Sequence, residues 1–270
     1  MNETHIQWTD YSSNPIRYRD ADGKVVWACV HASPGCEHCY AETMAHRYGK
    51  GGPFTAPVTA KVTAFLDEKE MCHLLTSPKL VGKRCFIGDM TDVFGEWVPV
   101  DLLSRLFDVM TKRPDTTFQL LTKRASRMQS FMKWRYPSGR VPRNIWLGVS
   151  VEDQRRADER IPLLLETPAA VRFISAEPLL EPVNLCRIQS PRTSNLNALQ
   201  GVYWDAGPVP DLVGPAPSSL DWVIVGGESG PGARPLHVDW VRSLVHQCQA
   251  AAVPGFVKQM GSRPYSEHEV

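Results

Sequence analysis

With 270 residues, 43% of them hydrophobic and 22% charged, the chain can bury a substantial core and is not of disordered composition. A formal net charge of +1 excludes bulk attraction to nucleic acid or membrane, so any such binding must come from a local patch. No apolar run reaches spanning length and the residues from Met1 to His5 lack the pattern of a leader. This predicts a cytoplasmic protein with no membrane partner, in which clustered thiols signal metal binding or catalysis before disulfides.

In chain order, the first strong signal is a short apolar run, Lys24 to Ala28, entering the loop Cys29-Val30-His31-Ala32-Ser33-Pro34-Gly35-Cys36-Glu37-His38-Cys39-Tyr40. Three of the seven cysteines fall here, spaced C-x6-C-x2-C. Thiolates this close can converge on a soft metal centre, either zinc or an iron–sulfur cluster. Only three are local, so a distant residue completes the set or one metal position stays open. Ala41 to Tyr48 has helical composition and stops at Gly49-Lys50-Gly51-Gly52-Pro53.

Near-continuous apolar runs follow at Cys85–Ile87, Phe118–Leu121, Ile145–Val149, Val171–Ile174, Trp222–Val225 and Gly255–Val257. Such runs suit strands buried on both faces. Between them, Val100 to Lys112, Arg124 to Tyr136, Asp153 to Leu165 and Val238 to Ala252 have helical spacing, with Pro162 expected to kink or split the third. The alternation predicts an α/β fold: one domain over residues 1–270, a parallel (β/α) barrel, or partial TIM barrel, of six or seven strands. The stretch 184–219, rich in Pro, Gly, Ser and Asn, reads as a structureless insertion outside the barrel.

Each proposed strand runs into polar residues, and parallel strands would bring these to one face. The candidates are Asp89 and Thr91 after the second strand, Lys123 after the third, Ser150 and Glu152 after the fourth, Glu177 after the fifth, and Gly226, Gly227 and Glu228 after the sixth. Lys258 follows the last. The carboxylates can accept from ribose hydroxyls or an ammonium group, the glycines allow close backbone approach, and the lysines can hold a carboxylate or phosphate. Asp92 and Asp153 also read as ordinary turn or helix caps.

The loop closing in Cys36-Glu37-His38-Cys39-Tyr40 resembles the radical S-adenosylmethionine superfamily, and with Asn14-Pro15 upstream it is similar to the branch containing spore photoproduct lyase. Over most of its length outside 184–219 the chain also resembles a phage and prophage family with a three-cysteine motif. Trp8-Thr9-Asp10, Gly88-Asp89-Met90-Thr91-Asp92, Leu121-Thr122-Lys123-Arg124, Gly148 to Glu152, Ala176 to Leu180 and Gly226 to Gly230 carry that likeness. The resemblance implies a [4Fe–4S] cluster on Cys29, Cys36 and Cys39, with S-adenosylmethionine on the remaining iron. It further implies reductive cleavage to a 5′-deoxyadenosyl radical, driven by a flavodoxin- or ferredoxin-type reductant. The superfamily's usual spacing is C-x3-C-x2-C and its glycine-rich segment usually follows the second strand, where this chain has Gly88-Asp89-Met90-Thr91-Asp92.

Lys123 to Arg143 holds seven basic residues, no acidic one, and Trp134 and Tyr136, a composition suited to a nucleic-acid partner or to a solvated helix face. Cys85 reads as core, while Cys72, Cys186 and Cys248 are isolated candidates for a distant fourth ligand. The competing reading is a non-catalytic zinc- or cluster-bearing module for nucleic acid or a protein partner, with His31 or His38 completing a Cys3His site.

Overall fold

The computed structural model describes residues 1–189, 195–205 and 211–266. The chain divides into two compact units, residues 1–146 with 168–170, and residues 147–167 with 171–270.

The first unit opens with β1 (Asn2–Glu3), β2 (Tyr11–Ser13), β3 (Ile16–Arg19) and β4 (Val25–Val26). After the cysteine loop come α1 (Tyr40–Arg47), α2 (Ala56–Thr59), β5 (Thr63–Leu66), α3 (Glu68–Thr76) and β6 (Arg84–Ile87). They are followed by α4 (Val100–Thr111), β7 (Thr117–Thr122), α5 (Ala125–Arg135) and β8 (Ile145–Ser150), which continues into the second unit. That unit adds α6 (Gln154–Leu165), β9 (Val171–Ala176), β10 (Ile188–Gln189), β11 (Asn195–Asn197), β12 (Val202–Trp204) and β13 (Leu212–Pro215). It ends with β14 (Trp222–Gly226), β15 (Leu236–His237), α7 (Val238–Ala250), β16 (Gly255–Gln259) and β17 (Pro264–Tyr265).

The fold is mixed α/β around an eight-stranded, mostly parallel sheet. In the first unit the order is β1-β2-β6-β7-β8, and in the second it is β9-β14-β16. Pairs β2–β6, β6–β7, β9–β14 and β14–β16 are parallel, and β1–β2 is antiparallel. The six later apolar runs are all strands of this sheet. Cys85, Ile87, Phe118, Leu120, Leu147, Val149, Phe173, Ile174, Val223 and Ile224 are fully buried, as the unbroken apolar runs require. In α4, Leu103, Leu106, Phe107 and Met110 repeat at helical spacing and are buried, each worth about 1.5–3 kcal/mol. Phe107 meets Phe131 of α5 with ring centroids 5.0 Å apart.

Three expectations are corrected. The strand before the cysteines is not part of the main sheet: β4 pairs antiparallel with β3 in a separate sheet ordered β4-β3-β5. The place beside β6 is taken by Tyr11-Ser12-Ser13, whose polar sequence concealed it. Second, Pro162 neither splits nor ends α6, which runs unbroken from Gln154 to Leu165. Proline removes only one backbone donor, and Ile161, Leu164 and Leu165 bury the same helix face around it. Third, the stretch 184–219 is not structureless. Its described residues form an antiparallel sheet ordered β10-β11-β12-β13, with Ile188 opposite Leu196 and Leu196 opposite Tyr203, all three buried. Two parts of this stretch, 190–194 and 206–210, lie outside the described residues.

No helix among the described residues is long and apolar enough to cross a membrane.

Candidate metal centre and strand-end residues

The cysteine loop leaves β4 through Trp27 and Ala28, makes one 3-10 turn over Pro34–Cys36, and enters α1 with Cys39 as its N-cap residue. Three successive carbonyls in this loop each accept a side-chain hydrogen bond. Thr91 Oγ1 donates to Ala28 O at 2.7 Å, Thr59 Oγ1 to Cys29 O at 2.7 Å, and Arg124 Nη2 to Val30 O at 2.8 Å. Thr91 follows β6 and Arg124 follows β7, so the loop is fastened to the C-terminal ends of two main-sheet strands. On its other side His31 and Glu42 are paired at 2.7 Å, and Glu42 Oε1 accepts from Phe54 N.

Cys29, Cys36 and Cys39 are free thiols and partly buried. Cys29 and Cys39 pack with Trp27 and Met90 against Ala41, Ala45 and Phe54. Burial pushes the Cys29 thiol up to about 12, helped by the charges of Asp92 and Cys39, and the Asp92 N–H acts against the rise. Cys39 is also raised, first by burial and then by Cys36; the N–H groups of Glu42 and Ala41 and the charge of Lys123 oppose that rise. Cys36 Sγ accepts from Ala32 N at 3.4 Å. The thiols are thus electrostatic neighbours. Among the described residues, however, no three His, Cys, Asp or Glu side chains are gathered as the ligands of a metal ion.

Three free thiols on one short loop are donors that either a zinc ion or an iron–sulfur cluster accepts.

Around this loop the strand ends differ in availability. Thr91 is buried, and its hydroxyl, donating to Ala28 O, must accept from Tyr18 OH at 2.9 Å. Tyr18 in turn accepts from Trp97 Nε1 at 2.9 Å. Thr91 is therefore a strut of the loop. Asp92 ties the two strand ends together, accepting from Thr122 Oγ1 at 2.7 Å and Lys123 N at 3.0 Å. Asp89 accepts from Asn14 Nδ2, and burial raises its carboxyl despite the hydrogen bonds of Asn14 and Ser12. It forms no ion pair among the described residues, and its charge reaches Tyr40, next to Cys39.

In the second unit the acidic candidates all have cations. Glu152 is fully buried and bonded to Arg160 Nη1 at 2.8 Å, and the same nitrogen donates to Ser150 O. Glu177 accepts from Lys258 Nζ at 2.7 Å and Gln259 Nε2 at 3.2 Å. Glu228 accepts from Arg234 N at 2.8 Å and Nε at 3.0 Å. A Cβ on Gly226 would lie 3.1 Å from the Glu177 carboxyl carbon, and one on Gly227 2.7 Å from Met260 O. Gly226 leaves room for the Glu177 side chain after β9, and Gly227 lets the ends of β14 and β16 approach closely, a packing role whether or not they also face a ligand.

Over residues 3–269 the sequence matches the family described as "Protein of unknown function (DUF5131)". The chain belongs to the DUF5131 family. No curated protein and no solved structure matches it. In this DUF5131 chain, sequence reading missed Thr59, Arg160 and Arg234. Arg160 carried a signal, since it falls among Ala157, Ile161 and Leu164 on the buried face of α6 and so demanded a buried anion. Thr59 and Arg234 meet their partners only through folding and left none.

Proposed function

We propose that Cys29, Cys36 and Cys39 hold a [4Fe–4S] cluster and that this chain is a radical S-adenosylmethionine enzyme built on a partial (β/α) barrel. The observation that carries this reading is the fastening of a three-thiol loop to the ends of β6 and β7, through Thr91 and Arg124. The mostly parallel sheet and the three cysteines without disulfides support it.

Such a cofactor, when bound, supplies reductive cleavage of the sulfonium bond of S-adenosylmethionine to a 5′-deoxyadenosyl radical, with electrons from a flavodoxin- or ferredoxin-type donor. The chain's own residues hold and orient. Burial holds the Cys39 thiol up, and the N–H groups opening α1 and the charge of Lys123 oppose that rise. Asp89 offers a carboxylate that forms no ion pair among the described residues, fit to accept from an ammonium group beside the loop. Met90, Trp27 and Phe54 wall Cys29 and Cys39 off from water on one side.

Anaerobic reconstitution with iron and sulfide should give a brown protein that releases 5′-deoxyadenosine from S-adenosylmethionine under dithionite. A colourless protein with stoichiometric zinc, and no release, would overturn the proposal.

A further inference from the structure

Three of the seven cations in the basic stretch that sequence reading offered to nucleic acid are engaged within the fold. Arg124 pairs with Glu96 and lies over Trp97, Arg127 bonds Val98 O, and Arg135 pairs with Asp108. A second cationic region, which no motif marks, lies on the small β4-β3-β5 sheet.

A cavity of about 470 Å³ opens there, lined by four cations, Arg17, Arg19, Lys50 and Lys69, and two carboxylates, Asp67 and Glu68. Both carboxylates are already engaged. Asp67 caps α3 by accepting from Lys69 N and Glu70 N and pairs with Arg17 at 3.0 Å, while Glu68 pairs with Arg105 at 2.7 Å. Arg19, Lys50 and Lys69 are exposed and have no carboxylate partner among the described residues. The cations also alternate with flat rings. The Arg17 guanidinium lies 5.4 Å from the Trp27 ring centroid and that of Arg19 4.4 Å from Phe65.

The cavity on the other side of Trp27 provides a contrast. Of about 370 Å³, it is lined by Lys24 and Lys61 with Asp20 and Asp22, a balanced set. Of these two cavities, the first is the one with unbalanced positive charge.

We propose that this cleft binds the phosphate and base of a nucleotide, either free or as one unit of a single strand. Unpaired Arg and Lys supply phosphate donors, and ring-backed guanidinium planes supply stacking faces for a base. The volume suits one such unit. An acidic peptide would use the cations but would leave the planar faces without a purpose. The inference stands apart from the metal centre, since none of these residues is a proposed metal ligand.

The test is fluorescence anisotropy of a short labelled oligothymidylate on the full-length protein at low salt, with a parallel titration of ADP. The double variant Arg19→Glu/Lys50→Glu should weaken binding by about tenfold or more and flatten its salt dependence. The control Arg140→Glu/Arg143→Glu, two exposed residues in the other basic stretch, should leave it unchanged. ADP that binds and displaces the strand identifies a free nucleotide as the source, and strand binding without ADP binding identifies a polymer unit. Should the reversal pair misfold, Arg19→Gln/Lys50→Gln gives the same reading at smaller amplitude. Failure of both ligands to bind overturns the proposal. So do equal losses in cleft and control variants, or equal displacement by polyglutamate.

Discussion

The strand ends of the two units carry the same kinds of residue and use them differently. In the second unit Glu152, Glu177 and Glu228 each face a cation supplied within the unit, Arg160, Lys258 and Arg234. In the first, Asp89 has only neutral hydrogen-bond partners, Asn14 and Ser12, and three thiols stand nearby without disulfides. A carboxylate matched by a cation has its electrostatics settled inside the fold, and one without remains available to a charged ligand. On the function proposed above, ligand chemistry belongs to the first unit and cohesion to the second, and each half of that proposal can be broken.

The largest effect is expected at the cysteines. Cys36→Ala should abolish iron retention and S-adenosylmethionine cleavage, because it removes one of the three thiolates proposed to hold the cluster. The thermal midpoint of the metal-free protein should hardly move, since the 3-10 turn that carries Cys36 has no buried residue. Unfolding of the metal-free variant would instead indicate a structural site.

The opposite pattern is expected in the second unit. Arg160→Met leaves the Glu152 carboxylate buried without its cation and should destabilise by about 3–5 kcal/mol, read from the urea midpoint. Combining it with Glu152→Gln should recover much of that loss. Cluster content should be the same in both variants. A change in iron content without a change in stability would reverse the roles assigned to the two units.

This division was only half legible in the sequence. Long apolar runs such as Ile145 to Val149 identified strands because a strand buried on both faces needs nothing else. Tyr11-Ser12-Ser13 escaped because its burial is imposed by its partner β6 and by β1, not written in its own residues. The helix α3 was missed although Asp67 and Glu70 form a capping signature ahead of Met71 and Leu74. The sheet within 184–219 was hidden by strands of two to four residues separated by turn formers. At the site, residue types revealed which groups could bind, but ion pairing is a tertiary fact. Nothing in Glu177 or Asp89 alone says that one pairs with Lys258 while the other is bonded by Asn14 and Ser12.

A moderate effect is expected at Asp89. Asp89→Asn keeps the shape and removes the charge offered to an ammonium group, so the KM for S-adenosylmethionine should rise about ten- to a hundredfold. Glu177→Gln, in the second unit, should shift KM less than threefold while lowering stability by about 1–2 kcal/mol. Equal KM shifts would mean that both units share the ligand.

Metal loading should depend on pH in the first unit. With its folded pKa near 12 and an ordinary thiol value in the unfolded chain, Cys29 is protonated in the metal-free protein at neutral pH. A raised thiol stabilises the metal-free fold fully below the unfolded pKa, and that contribution is lost as pH climbs toward 12. Ligation must expel the proton, so apparent metal affinity should rise about tenfold per pH unit for each thiol proton released, measured by chelator competition between about pH 6 and 8. A flat profile would mean the thiols are already ionised. Cys248, also raised by burial, to about 11, is outside the proposed three-thiol site and should contribute nothing.

The smallest effect tests the fastening itself. Thr59→Val keeps the shape of the side chain but removes the donor to Cys29 O, a bond worth about 1 kcal/mol. If the loop's carbonyl anchors serve to hold the sulfurs, this variant should lose iron to a chelator severalfold faster than wild type at almost unchanged stability. Thr167→Val removes a comparable hydroxyl bond, to Leu163 O at the end of α6, and should cost similar stability without altering iron release. Equal release rates in the two variants would leave the anchors as ordinary loop hydrogen bonds, and the contrast between the units would then rest on charge alone.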